Sequence, residues 1–303
     1  MISKYLIIST QTNFYIPDIP SCWCFTFRIL AEDRPFWWVR ETKEFTTLNR
    51  PKLYQNELTC EPSPGNPSGH LMTSTTYLYV IFSVLEEAGM QYGRTAVIVL
   101  RACYYLSLLL ISVSRMYFGC HFLHQCIIGI LLGIGMTKLT MSLSFEKYLT
   151  KLTRKRRLGY CSLICLILFV VYWGQKLFGV DPQWSVKMAF KWCDDPFYLD
   201  PSTTLVFSII RLTGSLVAFA VVGPVLRSAP LDWRRSVPLT LIMMTIKWIA
   251  ISYTPRYYGV IIYYLYTFLI HLLFTYGYMR LVPATASVLV DSRVQRNSRP
   301  KIN

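Results

Sequence analysis

Seven apolar stretches, each close to the length that crosses a bilayer, leave this chain little choice of fold. They run over about 72–88, 96–113, 122–142, 158–179, 204–226, 236–253 and 258–282. A helix needs roughly 20 apolar residues to traverse the hydrocarbon core. In lipid every backbone N–H and C=O must be satisfied within the protein, which selects helices or closed barrels. Barrel strands are only about ten residues long, so stretches of this length read as helices. The predicted fold class is all-α, a polytopic transmembrane helical bundle with about seven full spans. The stretch 158–179 is the clearest, and 72–88 the weakest, rich in Thr and Ser and closing on Glu86 and Glu87.

Charge sets the orientation. Charged residues make up 16% of the chain, well below the roughly 25% of soluble domains, and exclude disorder, collagen and coiled coil. The net charge of +15 reads first as topology, because Lys and Arg collect on the cytoplasmic side. One alternating set of loops (89–95, 138–157, 227–235 and the tail after Pro283) carries 15 Lys and Arg, and the other set carries 4. The basic set is predicted to be cytoplasmic. His70, Arg115, His121 and Trp192 then share the opposite, luminal or extracellular, face. The basic run Lys147–Arg157 reads as a juxtamembrane patch, so the partner is a lipid bilayer and not nucleic acid. Nine cysteines is an odd count. Several (Cys103, Cys126, Cys161, Cys165) fall in apolar runs as small buried residues, and no pattern of paired CxxC indicates zinc. Met1–Leu30 holds only two short apolar pieces, neither able to span alone. The organisation read from the sequence is an atypical N-terminal segment (1–30), a membrane domain (31–282) and a basic cytoplasmic tail (283–303).

Three short motifs lie on the outer face: Arg34-Pro35-Phe36-Trp37-Trp38, Pro67-Ser68-Gly69-His70, and Ser114-Arg115 followed by His121. Guanidinium forks bind phosphate oxygens and stay charged. One imidazole can attack phosphorus and the other can protonate a leaving alkoxide. Ser68 and the Gly69 N–H can add donors to the phosphate. No Asp/Glu cluster accompanies the histidines, so neither a metal nor another cofactor is expected. Singly, each motif reads as a turn before a helix or a snorkelling anchor. Together and in this order they are far more specific.

These residues resemble the three-part signature of the type 2 phosphatidic-acid phosphatase superfamily, and most closely its glucose-6-phosphatase family. Arg34–Val39, Thr59-Cys60-Glu61 with Pro64–His70, His121-Phe-Leu-His-Gln125 and Ala189–Pro196 all carry the resemblance, which covers about 30–282. It implies nine helices in the endoplasmic reticulum membrane and a luminal active site. It also implies hydrolysis of glucose 6-phosphate to glucose and phosphate, in gluconeogenesis, through a phosphohistidine. His121 would be the nucleophile and His70 the proton donor, with Arg34 and Arg115 on the phosphate. A glucose-6-phosphate transporter would be a partner. The alternatives are a phosphatase of another sugar or lipid phosphate and a catalytically impaired member of the same family. The Trp192-Cys193-Asp194 region favours a sugar phosphate.

Two departures from the superfamily pattern stand out. Its first motif begins with Lys seven positions before the Arg-Pro, where this chain has Phe27, and the 1–30 segment lacks the two helices expected there. An altered or truncated N-terminus and weak activity are the expectations. Gln125 stands where the superfamily often has an Asp that orients the second histidine, as is familiar in glucose-6-phosphatases. His124 reads as a packing residue with no acidic partner, and His271 as hydrogen-bonded between helices. Trp37 and Trp38 read as interfacial anchors or walls of a sugar site. Arg101 and Arg211 would pair with helix carbonyls or line a cavity. Cys60 and Cys193 both face the outer side and can pair there, which the sequence leaves open.

Overall fold

A computed structural model describes residues 32–142, 148–149, 151–223, 233–254 and 259–282. The 1–30 segment, with Phe27, and the 283–303 tail lie outside the described residues. Among the described residues there are nine α-helices and no strand. They are α1 (Pro35–Glu41), α2 (Gly69–Gly89), α3 (Arg94–Tyr117), α4 (Leu123–Thr140), α5 (Arg154–Leu177), α6 (Trp184–Trp192), α7 (Leu205–Val222), α8 (Trp233–Ser252) and α9 (Val260–Tyr276). Among the described residues, five helices are long and apolar enough to cross a membrane: α3, α4, α5, α7 and α9 with its continuation to Leu281. α2 and α8 occupy the two remaining apolar stretches, and α8 has a shorter apolar part, Pro238–Ser252. Leu106, Leu109 and Leu110 of α3 turn outward, as a lipid-facing helix surface does.

Two compact units emerge, and the functional motifs all fall in the one that holds residues 32–139 and 164–209. Its centre is the pair α2 and α4, brought together by two glycines one helical turn apart. A Cβ on Gly129 would stand 2.7 Å from the Ser68 carbonyl oxygen, and one on Gly133 would stand 2.8 Å from that of Met72. Small residues at this spacing let helix backbones approach closely in a membrane. α3 returns beside α2 after a turn at Gly93, whose φ of +96° suits glycine. Tyr104 packs edge-on against Tyr79 and Phe82. Arg101 bonds Glu86 across this pair at 3.2 Å. This corrects the expectation of helix-carbonyl partners: the α2–α3 register sets a carboxylate within its reach.

The polar segments outside these helices are held by α1 and α6. Pro35, with its fixed φ and no N–H, opens α1. Trp37 is fully buried against Phe36, Ala189 and Trp184, and its Nε1 donates to Asp33 Oδ1 at 2.7 Å. It is therefore neither an interfacial anchor nor a wall of a sugar site. The Asp33 acceptor satisfies the indole N–H, which removes the cost of burying it. Lys191 and the Trp192 indole both donate to Glu41 at 2.6 Å, and Arg40 reaches Asp194 at 2.9 Å. A disulfide joins Cys60 to Cys193, Cα to Cα 5.9 Å, a pairing the sequence left open.

The other unit holds residues 140–163 and 210–282. Gly214 of α7 lies against the Phe268 backbone of α9, and Thr275 Oγ1 donates to Ser215 Oγ at 3.1 Å. Tyr278 and Val282 pack with Leu239, Met243 and Phe274. His271 is buried on α9.

Candidate active site

Four of the predicted residues meet around one carboxylate that the sequence reading did not count among them. Arg34 occupies the N-cap position of α1, His70 the first turn of α2, and Arg115 the last turn of α3. His121 lies in the turn just before α4. Glu61, in the irregular segment before α2, bridges them. Its Oε2 is 2.8 Å from Arg34 Nη1, and its Oε1 is 2.5 Å from Arg115 Nη2 and 3.4 Å from His70 Nδ1.

The two guanidiniums differ in how much of their capacity is committed. Arg34 is 1% exposed. Its Nε donates to the Ser63 carbonyl at 2.6 Å, and Nη2 donates to Ser63 Oγ at 2.8 Å and to the Pro64 carbonyl at 3.3 Å. Nη1 is shared among Glu61, the Cys120 carbonyl at 3.3 Å and His121 Nε2 at 3.4 Å. All five N–H donors of this side chain thus have partners. Arg115 bonds Glu61 and more distantly the Leu58 carbonyl at 3.5 Å, and its buried Nε has no hydrogen-bond partner. Ser68 Oγ is also buried and unpartnered, and Gly69 opens α2 beside it. A guanidinium N–H and a hydroxyl left buried without partners carry a desolvation cost that a bound acceptor would relieve.

His121 is 2% exposed, and its Nδ1 lies 2.8 Å from the Gly65 carbonyl oxygen. A carbonyl can only accept, so Nδ1 carries the proton and Nε2 keeps its lone pair. Burial, then the positive charge of Arg34, hold the ring well below its usual pKa; Glu61 and the Gly65 carbonyl oppose this less strongly, and the imidazole stays neutral. Its carbonyl partner is fixed by close packing. The Gly65 N–H donates to the Glu32 carbonyl at 2.8 Å, and Gln125 Nε2 donates to the Asp33 carbonyl at 2.9 Å. Gln125 therefore has no direct bond to His121 and acts on the backbone that faces it.

His70 stands in a different environment, its side chain 52% exposed. Burial lowers its pKa, Glu61 raises it, and Arg115 and Arg34 lower it again, with a net downward shift. For Glu61, burial would raise the pKa; Arg34 first, then His70, Arg115 and His121 outweigh it and hold the carboxyl at about 2. Cys120, buried beside these groups, donates its thiol to the Leu58 carbonyl at 2.9 Å, and burial pushes its pKa up to about 11.

Of the remaining predicted residues, Trp38 packs edge-on against Phe122 and Phe45. His124 does have an acidic partner: its Nε2 is 2.7 Å from Glu32 Oε2, and its ring stacks on Phe122. The sequence missed this pairing because Glu32 lies 92 positions earlier. Among the described residues no three metal-ligating side chains converge. Glu61 was legible only as one letter of a longer pattern. Its place beside Cys60, on the outer face with both histidines, is the signal that could have singled it out.

Comparison with known proteins places the whole chain rather than its single residues. Residues 25–149 match the PAP2 superfamily. The chain is 31% identical to glucose-6-phosphatase 2 of Mus musculus, over 64% of this chain and 56% of that protein. It is 32% identical to glucose-6-phosphatase catalytic subunit 1 of Rattus norvegicus, over 70% of this chain and 61% of that protein. With the catalytic subunit 1 of Haplochromis xenognathus the identity is 31%, over 61% of this chain and 68% of that protein. The chain spans little more than half the length of the mouse relative. No solved structure matches it. The chain belongs to the glucose-6-phosphatase family, within the PAP2 superfamily.

Proposed function

We propose that this protein hydrolyses glucose 6-phosphate to glucose and phosphate through a phosphohistidine, without a metal. The observation that carries the reading is the neutral His121, with Nδ1–H held by Gly65 and Nε2 beside Arg34. In the first step the Nε2 lone pair forms a bond to phosphorus, the bond from phosphorus to the sugar oxygen breaks, and His70 Nε2–H gives its proton to that oxygen. In the second, water attacks the phosphohistidine, His70 takes a proton from the water, the P–N bond breaks and phosphate leaves. Arg115, with Nε unpartnered, and Ser68 Oγ hold the phosphate oxygens. Arg34 neutralises charge from the side of the nucleophile. The relatives' names supply the choice of sugar phosphate.

The active face is luminal in this reading and the membrane is that of the endoplasmic reticulum, as the distribution of 15 against 4 basic loop residues supports. A glucose-6-phosphate transporter would then deliver substrate to that face. The test uses the full chain in sealed microsomes. Phosphate release from glucose 6-phosphate should exceed that from phosphatidic acid and other sugar phosphates, and should be latent until the membrane is permeabilised. Alkaline-quenched labelling with substrate radioactive in its phosphate should mark a histidine, with a label stable to base and lost in acid. Release from the lipid phosphate alone would replace the substrate assignment, and a phosphate-free protein during turnover would refute the covalent route.

A further inference from the structure

Glu61 stands at the centre of the site, yet neither chemical step above uses it. A carboxylate between groups that must bind a phosphate has the wrong sign to touch substrate, so its purpose lies elsewhere. The segment carrying it is tied down. Thr59 is fully buried, Cys60 is bonded to Cys193, and the Pro62 carbonyl accepts from Ser185 Oγ at 3.0 Å. From this fixed base the carboxylate reaches Arg34, His70 and Arg115 at once.

We propose that Glu61 is the positioning residue of the site, setting both guanidiniums and holding His70 with its proton on Nδ1, so that Nε2 faces the leaving oxygen. The proposal rests on the phosphohistidine reading and assigns the orientation that reading requires. A carboxylate only accepts, so the His70 nitrogen 3.4 Å from Oε1 must be the N–H side. That distance is long for a hydrogen bond, as apo catalytic contacts commonly are. Nε2, across the half-exposed ring from Nδ1, is then the nitrogen not turned to Glu61. Two buried guanidiniums with no anion between them would repel, and a bridging carboxylate fixes both. Glu61 also acts on the charge of His70. The charged groups facing that ring are Glu61, Arg115 and Arg34, and Glu61 alone raises its pKa. Around Glu61 itself stand Arg34, His70, Arg115 and His121. His70 must be protonated to serve as acid, so activity falls as pH rises through its pKa. Loss of Glu61 moves that alkaline limb to lower pH.

The experiment compares the full-length wild type with Glu61→Gln and Glu61→Asp. In Glu61→Gln, kcat should fall on the order of 100-fold, the alkaline limb should move to lower pH, and inhibition by inorganic vanadate should weaken because the two guanidiniums lose their bridge. Glu61→Asp should recover part of both losses. A readout independent of turnover is available because the chain has only 4 histidines: nitrogen-15 NMR of the imidazoles should show the His70 titration displaced downward in Glu61→Gln. Where Glu61→Gln does not fold, the same displacement is read in Glu61→Asp, at smaller size. An unchanged His70 titration, or a lost activity with an unmoved limb, overturns the proposal. If the phosphohistidine reading is wrong, the wild type carries no label at all, while an error about Glu61 leaves that label intact.

Discussion

The turn that follows α3 buries its histidine, whereas the first turn of α2 leaves its histidine half open. His121 is 2% exposed, with one ring nitrogen bonded to backbone and the other beside Arg34. His70 has a side chain 52% exposed and a single carboxylate contact at 3.4 Å. The difference teaches how one residue type can serve two roles. A nucleophile must be unprotonated and held in one tautomer, which burial and a backbone acceptor supply. A proton carrier must gain and lose its proton within each turnover, which requires access to solvent and a pKa nearer neutrality. The two guanidiniums repeat the contrast: Arg34 has all its donors engaged on the His121 side, while Arg115 keeps its Nε without a hydrogen-bond partner, which the proposed reading assigns to the phosphate.

The most direct way to break this comparison is to remove each histidine in turn. His121→Ala should lower phosphate release by at least about 1000-fold, the scale expected when a covalent nucleophile is lost. It should also abolish the alkali-stable, acid-labile label. His70→Ala should slow both steps while leaving a trappable phosphohistidine on His121. Labelled His121→Ala protein would show that the buried ring is not the nucleophile and would reverse the assignment.

The spans were legible from the sequence because a stretch of apolar residues about 20 long has one solution in lipid. The helical assignment follows directly, and α3 to α5 and α7 lie where the apolar runs lie. The details that escaped are contacts between residues far apart in sequence. Trp37 has the composition of a membrane anchor, and only the Asp33 acceptor four residues earlier shows why it is buried. Arg101 lies inside an apolar run, and its partner Glu86 is found only once α2 and α3 are in register. The site is a middle case. Arg34, His70, Arg115 and His121 were named from motif order, but the Gly65 carbonyl that sets the His121 tautomer is a backbone atom and has no letter of its own. Glu61 entered only within Thr59-Cys60-Glu61, as part of the resemblance and with no role of its own.

Gly65 offers a sharper probe of the buried side, with a smaller expected effect. A Cβ there would stand 2.5 Å from the Asp33 carbonyl oxygen and 2.8 Å from Gln125 Nε2. Gly65→Ala must therefore displace the very carbonyl that accepts from His121 Nδ1. Activity should fall roughly 10- to 100-fold, the range associated with misplacing a reacting group by about 1 Å. The pH at which His70 titrates should not move, because none of the groups that set it lies on Gly65. A Gly65→Ala enzyme with wild-type kcat would mean that the carbonyl does not hold the nucleophile.

The mildest test acts on the open side, through the disulfide. Cys60 precedes Glu61, and its bond to Cys193 closes a sequence separation of 133 residues. Removing a native disulfide costs about 2–5 kcal/mol of stability in small secreted domains, less where other contacts hold the chain. Here Gln55 also ties the two segments, donating to the Trp192 carbonyl at 3.0 Å and accepting from the Asp194 N–H at 2.9 Å. The expected loss is therefore at the lower end of that range, read as a modest drop in Tm for Cys193→Ser. Freed of its anchor, Glu61 should hold His70 less well, so the alkaline limb should shift in the same direction as in Glu61→Gln but by less. His121 should be spared, because its contacts come from Gly65 and Arg34 and not from the 59–61 segment. Alkali-stable label in Cys193→Ser should then form at close to the wild-type level even as turnover slows. Loss of the label together with the limb shift would show that the two histidines do not have separate supports, and the contrast between the buried and the open turn would fail as an explanation of their roles.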